Sequence, residues 1–128
     1  MKIRIKESEV GAEVQFDTIV CPADEDGFRE AYIKKNAWWE VRLSKEKRES
    51  LKYVAIYETS PVAAIRNIAE IDKIVPYGDT KRFILHLKNK RHVTPIQLDR
   101  NKRNTAPQGP RYTSYKKIIK AKNLSDLW

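Results

Sequence analysis

The sequence predicts an α+β fold: a small mixed β pseudo-barrel of about six strands with short helices. Three observations predict it. Stretches with strand-like patterning outnumber those with helical periodicity, and the helical ones are short. The 128 residues are 41% hydrophobic, enough to bury a real core and too apolar for wholesale disorder. Six short strands also expose edges, and closure into a small barrel removes them.

The elements follow in order. Residues 2–6 alternate Lys-Ile-Arg-Ile-Lys, the pattern of a short edge strand. Residues 14–21 alternate through Val14, Phe16 and Thr18, then turn continuously apolar. That is a strand entering the core and stopped by Pro22. Asp24, Glu25 and Asp26 place acids where a helix N-terminus favours them. A helix over 26–35 follows, with Phe28, Ala31 and Tyr32 on one face, Lys34 and Lys35 at its end, and Asn36 as cap. In residues 37–43, Trp39, Val41 and Leu43 alternate with Trp38, Glu40 and Arg42, giving a strand with one apolar face.

Residues 44–52 read as a charged connector, and 53–57 as a buried strand. Ser60 and Pro61 suit the cap and first position of a short helix over 61–67. Residues 68–75 return as a strand, and Pro76-Tyr77-Gly78-Asp79 is a turn. Residues 82–87 and 92–98 are two strands joined as a hairpin through Asn89, Lys90 and Arg91. Residues 99–110 lack apolar periodicity and contain Pro107, Gly109 and Pro110, so they form a loop. A last helix covers 114–121, with Tyr115, Ile118 and Ile119 apolar and Lys116, Lys117 and Lys120 on the other side. No repeat or linker divides the chain. Residues 1–128 are therefore expected to form one domain that includes the basic loop and helix of 99–128.

Composition narrows the function classes. A single cysteine excludes a disulfide framework and a Cys-based zinc site within one chain. No apolar run approaches the ~20 residues of a membrane span, so no membrane partner is expected. The opening Met-Lys-Ile-Arg-Ile-Lys lacks the apolar stretch of a secretory signal, and the expected location is cytoplasmic. The net charge of +9 is unevenly spread. Residues 1–80 carry 13 Lys+Arg and 15 Asp+Glu, while residues 81–128 carry 13 and 2, giving nets of −2 and +11. Such a basic third is the footprint of a polyanion-binding face, because each cation meeting a phosphate releases condensed counterions. A merely solvated surface is the alternative.

Recognition of an unpaired base needs aromatic planes, a few edge hydrogen bonds and cations for the backbone. Trp38 and Trp39 point to opposite faces of one strand, so one is expected in the core and the other at a cleft; plain core packing is the alternative for either. Tyr57, Thr59 and Ser60 lie at a strand end and a helix start, where amides can receive a phosphate or a base carbonyl. Plain capping by Ser60 is the alternative. Arg111 and Tyr112 follow the Gly109-Pro110 turn as a cation and a stacking ring. Alternatively, Tyr112 docks the last helix. Arg100, Lys102 and Arg103 on the loop and Lys116, Lys117 and Lys120 on the helix form either a phosphate track or a solvated face.

Catalytic signals are thin. His86 and His92 are the only histidines, with no third His or Cys at ligand spacing, so neither a metal nor a cofactor is expected. His92-Val93-Thr94 resembles half of a His-x-Thr phosphoesterase pair, but His86-Leu87-Lys88 lacks the second hydroxyl. Phosphate-binding glycine loops and a nucleophile elbow are absent. Cys21 reads as a buried structural thiol.

The segment 53–74, Tyr-Val-Ala-Ile-Tyr-Glu-Thr-Ser-Pro-Val-Ala-Ala-Ile-Arg-Asn-Ile-Ala-Glu-Ile-Asp-Lys-Ile, resembles a recurring element of the PUA-like superfamily, which includes EVE and ASCH domains. There, a strand leads into a short Ser/Pro-started helix and then a strand with a pattern like Ile-x-x-Ala-Glu-Val. The Trp38-Trp39 strand and the later hairpin stand in the matching order, and the likeness spans about half the chain. Asn67 replaces a customary glycine, and the ASCH-type Gly-x-Lys-x-x-Glu motif is absent. The resemblance implies a pseudo-barrel whose cleft holds nucleic acid: RNA for PUA-like domains, modified bases in an aromatic-lined pocket for EVE-like ones. The expected function is thus a non-enzymatic domain binding RNA or DNA. The alternatives are a small nuclease or phosphoesterase using His86 or His92, and a protein-interaction module that meets a protein partner or a second copy of the chain.

Overall fold

The computed structural model describes residues 16–128, so the edge strand expected at 2–6 and the start of the next at Val14 lie outside the described residues. The strands are β1 (Thr18–Ala23), β2 (Ala37–Arg42), β3 (Tyr53–Glu58), β4 (Ala64–Pro76), β5 (Arg82–Gln97) and β6 (Arg111–Thr113). They form one mixed sheet in the order β2-β5-β4-β3-β1-β6, curled into a half-barrel. Only β1 and β3 run parallel; the other neighbours are antiparallel. The α+β pseudo-barrel reading holds.

The central strands are buried on both sides, which is why β1 and β3 read as continuous apolar runs. Period-2 alternation sends Ile19, Cys21, Val54 and Ile56 into one core and Val20, Ala55 and Tyr57 into the other. Helix α1 (Glu25–Gly27, continuing as a wider π-type helix over Phe28–Lys34) covers the first face through Tyr32. Asp24 caps it, accepting from the Gly27 amide at 2.7 Å. The second face is closed by Ile118, Ala121, Leu124 and Leu127 of the C-terminal segment. Each such Ile or Leu contributes about 1.5–3 kcal/mol by burial.

Several expectations change. Pro22 lies within β1 rather than ending it. It is tolerated because β6 pairs only with Thr18, Ile19 and Val20, leaving Pro22 with a single neighbour strand. The connector at 44–52 contains helix α2 (Lys45–Ser50), capped by Ser44. The expected helix at 61–67 does not form; the chain turns at residues 59–62 and enters β4 at Ala64. Ala64, Ile65, Asn67, Ile68 and Ala69 are all buried between two partner strands, and that packing overrides the local Ser-Pro signal.

The hairpin expected at 89–91 is instead a bulge inside one long strand. Both halves of β5 pair with β4, as Glu70 with Lys88 and Ile68 with Arg91, and Asn89 takes φ 49° between them. Lys90, next to that bulge, donates to the carbonyls of Tyr32 (2.9 Å) and Ile33 (3.3 Å) near the end of α1. A register shift between Trp39 and Val41 also breaks the alternation expected in β2. Trp38 therefore shares the first core with Val41 and Leu43. The last helix is a single turn, α3 (Tyr115–Ile118), capped by Ser114. Ile118 is buried, but Ile119 is 56% exposed rather than on the apolar side.

Candidate functional site

The turn at residues 59–62 organises the site. It is pinned on one side by the Thr59 amide donating to the Ala23 carbonyl (2.9 Å) and on the other by the Leu98 amide donating to the Ala63 carbonyl (3.0 Å). Clefts open on both sides of it.

The first cleft, about 600 Å³, lies between α1 and the β3–β4 turn. Phe28, Ile33, Pro61 and Val62 give it apolar walls, with Thr59 and Ser60 beside them. Glu58 and Arg66 supply its charge. Glu58, at the end of β3, is only 7% exposed. Arg66 grips it side-on, Nε to Oε2 at 3.0 Å and Nη2 to Oε1 at 2.8 Å. Arg66 is the bulged residue of β4: the ladder steps from Ile65 to Asn67 against both β3 and β5. Arg29, also on the wall, is occupied by Glu25 at 2.7 Å and Asp26 at 3.5 Å.

The second cleft, about 360 Å³, shares Val62 with the first and is lined by Ala63, Gln97, Leu98, Asp99, Arg100 and Arg103. Tyr57 is buried in the second core at 4% exposure, and burial raises its hydroxyl pKa while the Arg103 charge opposes that rise. The third cleft, about 200 Å³, is lined by Lys116, Lys117, Lys120, Ala121 and Asp126. Asp99 of the second cleft is hydrogen-bonded to Ser125, the neighbour in sequence of Asp126 on the third cleft's wall. The Asp99 carboxylate accepts from the Ser125 hydroxyl (2.6 Å) and amide (3.0 Å), and these bonds, with weaker help from Thr105 and Lys102, hold it below the ordinary carboxylate range. Asp126 is lowered likewise by the Lys122 and Asn123 amides, against repulsion from Asp99.

The expected site residues separate into groups. Thr59, Ser60, Arg100, Arg103, Lys116, Lys117 and Lys120 line the three clefts. Ser60 starts no helix, so the helix amides expected there to receive a phosphate do not exist, nor does its capping role. Tyr57 lies in the core instead of edging a cleft. Lys102 is exposed near the second cleft and lines none of these three. Trp38 packs on the first core near Gly27, and Trp39 is half-buried outside both cores; neither lines these clefts. Arg111 and Tyr112 are strand residues of β6 and do not face each other's partners. Arg111 stacks on Trp128 at 4.1 Å, while Tyr112 packs against the first core with Lys47 over its ring at 4.1 Å. Tyr112 thus does not dock the last helix through that core.

His86, half-buried, and His92, exposed, line none of the three clefts. Among the described residues, no group of three His, Cys, Asp or Glu is placed to hold a metal. Cys21 is buried, and desolvation lifts its thiol to about 12. Phe28, Ile33, Glu58, Val62 and Arg66 line the first cleft without a sequence pattern that marks them as site residues. Their one signal was a pair of opposite charges in otherwise apolar segments, at the end of one buried strand and near the start of the next.

Comparison with solved structures agrees with this architecture. The chain is similar to an ASCH protein from Zymomonas mobilis, at 16% identity and TM-score 0.53, covering 78% of this chain and 90% of that one. A serine-to-alanine variant of the same protein matches at 14% identity and TM-score 0.57, covering 81% and 93%. A tyrosine-to-phenylalanine variant matches at 15% identity and TM-score 0.53, covering 78% and 92%. No protein-family model and no curated protein matches the sequence. The fold is therefore that of the ASCH structures, carried here on a sequence without the Gly-x-Lys-x-x-Glu motif.

Proposed function

We propose that this chain binds single-stranded nucleic acid, RNA or DNA, with an unpaired base in the first cleft and the backbone along the basic second and third clefts. One observation carries the reading: a cleft with apolar walls shares Val62 with a second cleft that carries Arg100 and Arg103, and the Asp99–Ser125 hydrogen bond ties that second cleft to the segment whose Lys116, Lys117 and Lys120 line a third. Apolar walls suit a base, and cations suit phosphates. Nucleic-acid binding by PUA-like domains supports the reading as fold-level analogy.

The test is fluorescence anisotropy with labelled single-stranded RNA and DNA over a KCl series. If Arg100, Lys102, Arg103, Lys116, Lys117 and Lys120 each meet a phosphate, the slope of log K against log salt is about −4, from roughly −0.7 per contact. Negligible binding at low salt, or binding indifferent to salt, overturns the proposal.

A further inference from the structure

The Glu58–Arg66 pair leaves one half of the guanidinium unused. Arg66 spends Nε and one Nη2 proton on Glu58, a side-on grip. The end-on fork, Nη1 with the second Nη2 proton, has no hydrogen-bond partner among the described residues, and the side chain is 48% exposed on the cleft wall. Glu58 is nearly buried, so it holds that fork in a fixed orientation rather than leaving it to swing.

An end-on guanidinium fork presents two parallel N–H donors. Guanine O6 and N7 are two adjacent acceptors at the matching spacing, the pairing by which Arg reads guanine. On the same edge adenine offers N7 beside a donor, cytosine a donor and uracil a lone O4. Unpaired cytosine also sets O2 beside N3 on its Watson–Crick edge, but it brings only one ring to the apolar walls where guanine brings two. A phosphate also has paired acceptors. It would have to leave water beside Phe28, Ile33, Pro61 and Val62, whereas a base carries a flat apolar face to such walls.

We infer that the first cleft selects guanine, with Arg66 contacting O6 and N7 and Glu58 acting as the positioning residue. This rests on the nucleic-acid reading above and adds a base preference to it. The experiment uses short labelled oligouridines with one varied central residue, at low salt. Guanosine and inosine, which share O6 and N7, are expected to bind about tenfold tighter than adenosine, cytidine or uridine. Replacing guanosine by 7-deazaguanosine removes the N7 acceptor and should lower affinity to the uridine level. Arg66→Lys keeps a cation but loses the fork, so it should erase the preference and retain the common affinity. Glu58→Gln should narrow the guanosine-to-uridine ratio, which compares two ligands on one protein and so does not follow stability. Equal affinity for every central residue, an abasic position binding as tightly as guanosine, or an undiminished preference in Arg66→Lys overturns the inference and leaves the nucleic-acid reading standing. No binding to any of these oligonucleotides overturns both.

Discussion

Ala63 occupies the left-handed region at φ 49°, directly after the turn that separates the first two clefts. An L-residue there strains its Cβ against the backbone by roughly 1–2 kcal/mol, a strain that glycine escapes. Its carbonyl is fixed by the Leu98 amide, so the conformation is imposed by the closing of β4 onto β5. Ala63→Gly should stabilise the protein by about 0.5–1 kcal/mol, since relief of strain exceeds the added freedom of the unfolded chain. Chemical denaturation measures this directly, and a loss of stability would show that the turn is not strained. The same residue explains what was illegible at this scale. Pro61-Val62-Ala63-Ala64 carries good helix-start chemistry, and nothing local reveals that Ala64 and Ile65 already have strand partners on both sides. Trp38 and Trp39 failed similarly. Their alternation was readable, but the slip that places Trp38 with Val41 comes from the register against β5, set by residues more than forty positions away.

Elements were legible where their pattern was local. β1, β2, β3 and α1 lie close to where periodicity placed them, and Asn36 does take the left-handed cap conformation at φ 50°. β5 reads as two strands in the sequence because Asn-Lys-Arg between strand-like runs looks the same whether it turns the chain or bulges it. The length of β4 as a common partner decides the matter. β6 leaves no signal in the sequence because three residues carry no periodicity, and it exists only as the edge partner of β1. The junction between the basic loop and the C-terminal segment depends on Asp99, whose carboxylate is held ionised by Ser125 and Thr105. A carboxyl with a folded-state pKa below its unfolded value of about 3.9 stabilises the protein above that pH, and the contribution fades as pH falls through the folded value. Asp126, which faces Asp99, is lowered too and acts with the same sign. Asp99→Asn should therefore lower stability at neutral pH and flatten its decline below about pH 4. Urea midpoints across that range test this, and an acid decline as steep in the variant as in the parent would deny Asp99 the role.

At the scale of the molecule, the basic third of the sequence does not form one unbroken run of unpaired cations. In the first half of β5, Arg82 meets Glu40 at 3.4 Å and Lys88 meets Asp72 at 3.6 Å, while Lys90 serves the end of α1. Folding places Arg82 and Lys88 beside acids from the near-neutral first 80 residues and Lys90 against backbone carbonyls, so fewer cations of residues 81–128 are left without a partner. What remains is the loop at 99–110 and the segment after β6, brought together because Gln97 bridges to Asn123 and Asp99 to Ser125. Sequence charge counting located the excess correctly but could not tell compensated cations from available ones, since compensation is a property of sheet order. The two groups should behave differently. Replacing Lys116, Lys117 and Lys120 together by Gln should weaken every nucleic acid tested and reduce the salt slope by about 2, from roughly 0.7 per lost phosphate contact. The three side chains are exposed, so unfolding stability should move by no more than about 0.5 kcal/mol for each. Replacing Arg82 and Lys88 by Gln should leave both affinity and slope unchanged, because neither lines the three clefts and each already faces a carboxylate. Equal losses from the two sets would mean that affinity follows net charge alone, and that the clefts do not direct the strand.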